Sequence, residues 1–242
     1  MKSKQGRDEL LRALPVKWGF WILNRVFNRY TGEETRPVFF PIDTTWPSLN
    51  NLTSRFADIK QEVEALLELT KGHLPRYHDL DPTQESISSG EPGREWKVFM
   101  LCAHGEHFHQ NCALSPKTSA LVDSVPGVRQ AFFSILEPGK EIPPHKGGYR
   151  GHLRYHLALI VPKDNPPQIR VKDQFYTWRE REAVLFDDTW EHQIYNKSTG
   201  IRVVLIVDIL RPMPILPHAL NKAFVETVGR HYYGRKMLEN LQ

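Results

Sequence analysis

Cysteine is nearly absent. The 242 residues hold two, Cys102 and Cys112, too few for a disulfide framework or a cysteine-built zinc site, so a reducing setting, the cytoplasm, is expected. Long apolar runs are missing too. Near the N-terminus the longest uncharged apolar run is Trp18 to Leu23, with no cleavage-site pattern, far short of the roughly 20 residues that span a bilayer. Nor is charge of one sign in excess: 32 Lys and Arg stand against 28 Asp and Glu, a net +4. No Lys/Arg-dense run or basic groove interleaved with aromatics marks a nucleic-acid binder, and no internal repeat is visible. What remains, 40% hydrophobic and 25% charged residues, is the composition of a globular protein with material for a real core.

Periodicity organises the chain. From Leu10 to Tyr30 the spacing predicts a helix with Val16, Phe20, Leu23, Phe27 and Tyr30 on one face. Either that helix packs on the main domain or residues 10–30 lie against a membrane surface, which Trp18, Trp21 and the nearby Lys and Arg would suit. Thr31 to Trp46 reads as an extended wrap. Leu52 to Leu69 predicts a second amphipathic helix with Phe56, Ile59, Val63 and Leu66 or Leu67 inside. Gly72 to Arg94 has Pro, Ser and charges without periodicity and reads as a long loop, a candidate lid. The Ser115-Pro116 pair opens a helix reaching Val125, with Ser115 as its cap.

Beyond Pro126 the character changes to short β-branched and aromatic runs: Val128 to Leu136, Leu153 to Val161, Ile169 to Val171, Phe175 to Trp178, Ala183 to Phe186, His192 to Tyr195 and Ile201 to Leu210. Seven strands in close succession predict a mainly β sandwich or barrel. A helix from Leu220 to Leu241 closes the chain. The expected organisation is a helical and extended wrap over 1–94 belonging to the same fold, a β core over 95–212 and a C-terminal helix within 213–242.

Histidine carries the chemistry. His104, His107 and His109 share a polar loop and read as solvated histidines rather than a metal cluster. His145 and His192 both sit at strand edges, and two neutral imidazoles on neighbouring strands can hold one metal ion with several positions open. In Leu153 to Leu159 alternation puts Arg154, His156 and Ala158 on one face and Leu153, Tyr155, Leu157 and Leu159 on the other. Ile201 to Val207 is apolar on both faces, so Arg202 is a permanent charge in a dry place. Asp208 shares its parity but lies about 20 Å away along a strand rising roughly 3.3 Å per residue. The partner of Arg202 is therefore a carboxylate from another strand or the carboxylate of a ligand held bidentately, with Ser134 able to donate a second hydrogen bond to the same anion.

The runs Phe133-Ser134-Ile135-Leu136-Glu137-Pro138-Gly139, Pro144-His145, Leu153 to Pro162 and Phe186-Asp187-Asp188-Thr189-Trp190-Glu191-His192, closing with Arg202 and Val207-Asp208, resemble the aspartyl/asparaginyl β-hydroxylase family over about residues 95 to 212. They are also similar to bacterial lipid A acyl-chain hydroxylases. The resemblance implies a double-stranded β-helix, a jelly-roll of the cupin kind, using Fe(II), 2-oxoglutarate as cosubstrate and O2. By the same resemblance His145 and His192 are the metal ligands and catalytic centre. Arg202 and Ser134 clamp the far carboxylate of 2-oxoglutarate, His156 contacts the cosubstrate, and Arg154 holds a substrate carboxylate. Gly147 stands where most of the superfamily places a third, acidic ligand, a corner open to water or halide.

The expected reaction is hydroxylation of the β-carbon of an aspartyl or asparaginyl residue or an amino-acid-like substrate, with release of succinate and CO2. The alternative is hydroxylation of a lipid acyl chain; halogenation and a non-catalytic metal-binding cupin module are lesser alternatives. The expected partners are thus a small molecule, peptide or lipid and, through residues 10–30, a membrane surface, with no nucleic acid.

Overall fold

The structure, a computed structural model, describes residues 4–240, with side chains from Trp18 onward except that of Tyr232; Val16 of the expected helix face lies outside those described side chains. The strands are β1 (Phe39–Phe40), β2 (Trp96–Ala103), β3 (Glu106–His107), β4 (Val128–Leu136), β5 (Ile142–His145), β6 (His152–Ile160), β7 (Gln168–Val171), β8 (Gln174–Thr177), β9 (Ala183–Phe186), β10 (His192–Tyr195) and β11 (Arg202–Leu210). They form a seven-stranded sheet in the order β1-β9-β6-β11-β4-β2-β3 and a four-stranded sheet in the order β5-β10-β7-β8. Every pairing is antiparallel. The two sheets face one another as a double-stranded β-helix.

Both faces of the large sheet are dry, for different reasons. Phe132, Ala158, Val204 and Ile206 point inward and pack with Ile169, Val171 and Ile194 of the small sheet. Phe133, Tyr155, Leu157 and Leu205 point outward, where the helix Phe56–Thr70 covers them with Ile59, Val63 and Leu66. The central strand β11 is consequently buried at all nine positions. Its continuous apolar run is the signature of a strand sandwiched between two layers, and the hydroxyl of Tyr155 meets Thr53 at 2.8 Å in the outer layer.

Several expectations change. Strands β2 and β5 and the two-residue β1 and β3 join the seven runs predicted from sequence. Gly72 to Arg94 is no bare loop: the short helices Tyr77–Leu80 and Glu85–Ser88 pack inward through Tyr77, Leu80 and Ile87. Single helical turns are too short to show a 3.6-residue period. Helix Pro116–Asp123 forms, but Ser115 makes no side-chain cap. The Glu62 carboxylate instead accepts from the amides of Lys117 and Thr118, each at 2.8 Å, a negative group placed at the helix start. The C-terminal helix begins earlier, at Ile215–Phe224, continues as a π-helical stretch Val225–Gly234 and ends with Arg235–Glu239; the expected end at Leu241 lies outside the described residues. Tyr30, expected inside, is exposed on the N-terminal helix Lys4–Thr31.

Phe133 ties the outer helix layer to the sheet and is completely buried. Phe133→Ala should lower the unfolding free energy by about 3–5 kcal/mol, read from urea unfolding; a loss below about 1 kcal/mol would mean that the layer does not depend on it.

Candidate active site

Strands β5 and β10 pair so that His145 and His192 are directly opposite, and their ring centroids are 4.0 Å apart. Each ring is aimed the same way: Nδ1 of His145 donates to the carbonyl of Pro143 and Nδ1 of His192 to that of Trp190, both at 2.9 Å. A carbonyl can only accept, so the proton sits on Nδ1 and the lone pair on Nε2, the tautomer of a metal ligand. Burial lowers the proton affinity of both; His192, which also feels His145, is pulled down to about 4. Both rings are therefore neutral near pH 7.

On one side of this pair lies a small inner cavity of about 20 Å³, bounded by Ser134, His156, Ile169, Phe186 and Arg202. Arg202 is completely buried, and among the described residues no carboxylate lies within 4 Å of it. Its Nη1 donates to Ser134 Oγ at 3.4 Å, its Nε has no partner, and its guanidinium carbon sits 4.5 Å from the centre of the Trp178 ring. Burial alone pulls its pKa down to about 9. Ser134 also accepts from the indole N–H of Trp96 at 2.9 Å. Close by, both ring nitrogens of His156 and the indole N–H of Trp178 lack hydrogen-bond partners. Buried polar groups are normally satisfied, so a cluster of unmet donors around an unpaired cation marks a place for an anion.

Beyond the pair opens a cavity of about 370 Å³, with Trp96, His145, Arg154 and His192 common to both spaces. Here the charges are matched. Arg154 of β6 stands opposite Asp208 of β11 and grips it with two hydrogen bonds of 2.8 Å, while its third nitrogen lies 3.3 Å from Asp188. Burial opposes the charge on Arg154, but the two carboxylates raise its pKa; burial likewise opposes ionisation of Asp188 and Asp208, yet their cationic neighbours hold both carboxyls below the usual range. Arg129 donates to His152 Nδ1 at 3.3 Å and to His104 Nε2 at 3.0 Å. His152 is therefore protonated on Nε2, which faces Asp188 at 3.1 Å.

The sequence predicts six residues at the site. His145, His192, Ser134, His156 and Arg202 surround one small cavity, and Arg154 borders it. Arg154, however, is engaged by Asp208 and Asp188 rather than standing free for a substrate carboxylate. His104 is not a solvated loop histidine: it is buried on the large cavity, whereas His107 and His109 are the surface pair. The corner at Gly147 is filled from elsewhere, because a Cβ there would lie 2.6 Å from the Asp188 carboxyl group. Among the described residues no group of three or more His, Cys, Asp or Glu could hold a metal. The roles of Asp188, Arg129 and His152 were not read from sequence. Their only local signal was the parity of His152 with Arg154 on one strand face.

Two facing antiparallel sheets with a paired imidazole between them define the class: a double-stranded β-helix protein with a two-histidine site. The family model described as aspartyl/asparaginyl beta-hydroxylase matches residues 53–212, which include all strands except β1, and the chain belongs to that family. An ornithine lipid ester-linked acyl 2-hydroxylase from Rhizobium tropici is 39% identical over 182 residues, 75% of this chain and 63% of that protein. The human aspartyl/asparaginyl beta-hydroxylase is 30% identical over 197 residues, 79% of this chain and 25% of its own length. The human aspartate beta-hydroxylase domain-containing protein 2 is 32% identical over 202 residues, 79% of this chain and 52% of that protein. The matches thus span less than two-thirds of each relative.

The two buried arginines should respond oppositely to neutralisation. Arg154→Met leaves two buried carboxylates short of a cation and should cost about 3–5 kcal/mol in urea unfolding at pH 7, whereas Arg202→Met removes an unpaired charge and should be neutral or stabilising. Equal losses at both positions would show that Arg202 has a counter-ion after all.

Proposed function

We propose that the protein is an Fe(II)- and 2-oxoglutarate-dependent hydroxylase. The observation that carries this reading is a buried cation that meets no carboxylate among the described residues and faces two neutral imidazoles across one cavity. The residues fit the group: the Nε2 atoms of His145 and His192 would hold the metal, and Arg202 with Ser134 would take the far carboxylate of 2-oxoglutarate. When bound, ferrous iron with 2-oxoglutarate and O2 supplies the oxidising power to hydroxylate an unactivated C–H bond, with succinate and CO2 as co-products.

The chain's own residues do the remaining work. Burial keeps both imidazoles neutral, and the two carbonyl acceptors hold the single proton on Nδ1, which leaves Nε2 unprotonated. His156, its nitrogens unpartnered, offers one further hydrogen bond to a diacid. At about 20 Å³ the inner cavity has room for about one water, so a five-carbon diacid enters only as the lining side chains part. The Asp188 carboxyl group fills the space beside Gly147 and leaves no room there for a halide, which favours hydroxylation over halogenation.

The larger cavity is the substrate space. The aspartyl or asparaginyl reading, which assigned a substrate carboxylate to Arg154, now rests on family membership, because Asp208 and Asp188 already neutralise that guanidinium. The walls support the acyl-chain reading more directly: Phe20, Ile87, Trp96, Tyr149 and Met237 offer apolar surface, with Gln130 and the unpartnered Nε of Arg129 available to a polar head.

With iron and 2-oxoglutarate the protein should form succinate, and His145→Ala or His192→Ala should abolish it. Arg202→Met should raise the 2-oxoglutarate requirement by about 30-fold or more. Mass spectrometry after incubation with lipid extract, peptides and amino acids should show the gain of one oxygen in the true substrate class. Undiminished succinate formation in either histidine variant would overturn the assignment.

A further inference from the structure

We propose that the outer face of the N-terminal helix, with the adjoining C-terminal helix Ile215–Phe224, docks on an anionic lipid bilayer. The N-terminal helix has two unlike sides. Phe20, Leu23 and Phe27 turn inward, and Phe20 packs edge-on against Tyr149 at 4.9 Å and Phe224 at 5.1 Å. Trp18, Trp21, Ile22, Val26 and Tyr30 turn outward; the two tryptophans are 63% and 57% exposed. The neighbouring helix adds Ile215 and Leu216, at 86% and 82% exposed, and Leu220. Of the eleven exposed large hydrophobic side chains among the described residues, eight lie on these two helices. That concentration departs from the scattered apolar exposure of ordinary surfaces and marks an interaction face.

Charge selects the occupant. No Asp or Glu occurs between Glu9 and Glu33, or between Asp208 and Glu226, while Arg25, Arg29 and Lys222 lie on the described parts of the two helices; Lys222 is 3.8 Å from Glu226, so the selection by charge rests on the arginines. All three are exposed, and the Arg25 guanidinium lies 5.8 Å from the centre of the Trp21 ring. Tryptophan beside arginine without acids suits the headgroup region of an anionic leaflet, where the indole sits at the interface and the cation meets phosphate. No described helix is long and apolar enough to cross a membrane; the proposed mode is surface docking. The same helix supplies Phe20 to the wall of the large cavity, so docking brings that cavity to the lipid. The assignment deepens the acyl-chain reading and rests on it only for its purpose.

The test is flotation of the full chain with vesicles of phosphatidylcholine alone or with about one-third phosphatidylglycerol. The protein should float with the anionic vesicles, accompanied by a blue shift of tryptophan emission. The double variant Trp18→Glu/Trp21→Glu should lower partitioning by about tenfold or more while forming succinate from 2-oxoglutarate at the wild-type rate without added lipid. Arg25→Glu/Arg29→Glu should abolish the preference for anionic vesicles. Absence from both vesicle fractions, or wild-type partitioning of the tryptophan variant, overturns the proposal. So does a dimer in sedimentation that only the tryptophan substitutions dissociate, since a second copy then covers the face. Flotation without any succinate formation retains the docking and removes the catalytic reading; succinate formation without flotation does the reverse.

Discussion

A guanidinium sealed at the centre of a β-sandwich, with no carboxylate within 4 Å among the described residues, is the constraint around which this molecule is arranged. Arg202 and Arg154 share the inner side of the large sheet, yet their surroundings differ because of register. Arg154 faces Asp208 across the β6–β11 ladder, whereas Arg202 begins β11 opposite Leu136 of β4, and its ladder with β6 starts only at Val203. No acidic side chain stands across from it. The indole face of Trp178 and one serine hydroxyl soften the desolvation without cancelling it. The rest of the core must carry that cost, and a ligand carboxylate would remove it.

The site is therefore graded in charge. At one end is an unpaired cation; in the middle are two neutral imidazoles; at the other end Arg154, Asp188, Asp208, His152 and Arg129 form a network whose charges balance. This grading separates a place that attracts a small anion from a place already neutral, and it explains why Arg154 does not substitute for Arg202. The close approach of Asp188 to Gly147 belongs to the same design: a side chain at 147 would displace the carboxylate that joins His152 to Arg154.

Helices make the burial possible. Without the helix Phe56–Thr70 the outer face of β11 would meet water, and the strand bearing Arg202 would lie in a less insulating sheet. The N-terminal helix has a double office: its inner side closes the large cavity with Phe20, and its outer side carries apolar surface that the fold itself does not cover.

Strand existence and strand face were legible along the chain because side chains alternate with period two whatever the partner strand. β4, β9 and β10 lie where their runs predict them, and the dry environment of Arg202 follows from the apolar run around it. The family motifs likewise single out His145 and His192. The one-turn helices within Gly72 to Arg94 were illegible, since a single turn carries no period. Neither could a linear pattern assign Asp208 to Arg154, put Asp188 against Gly147, or leave Arg202 alone. Alternation specifies which side of a sheet a residue faces; only the register of strands distant in sequence decides what it faces there.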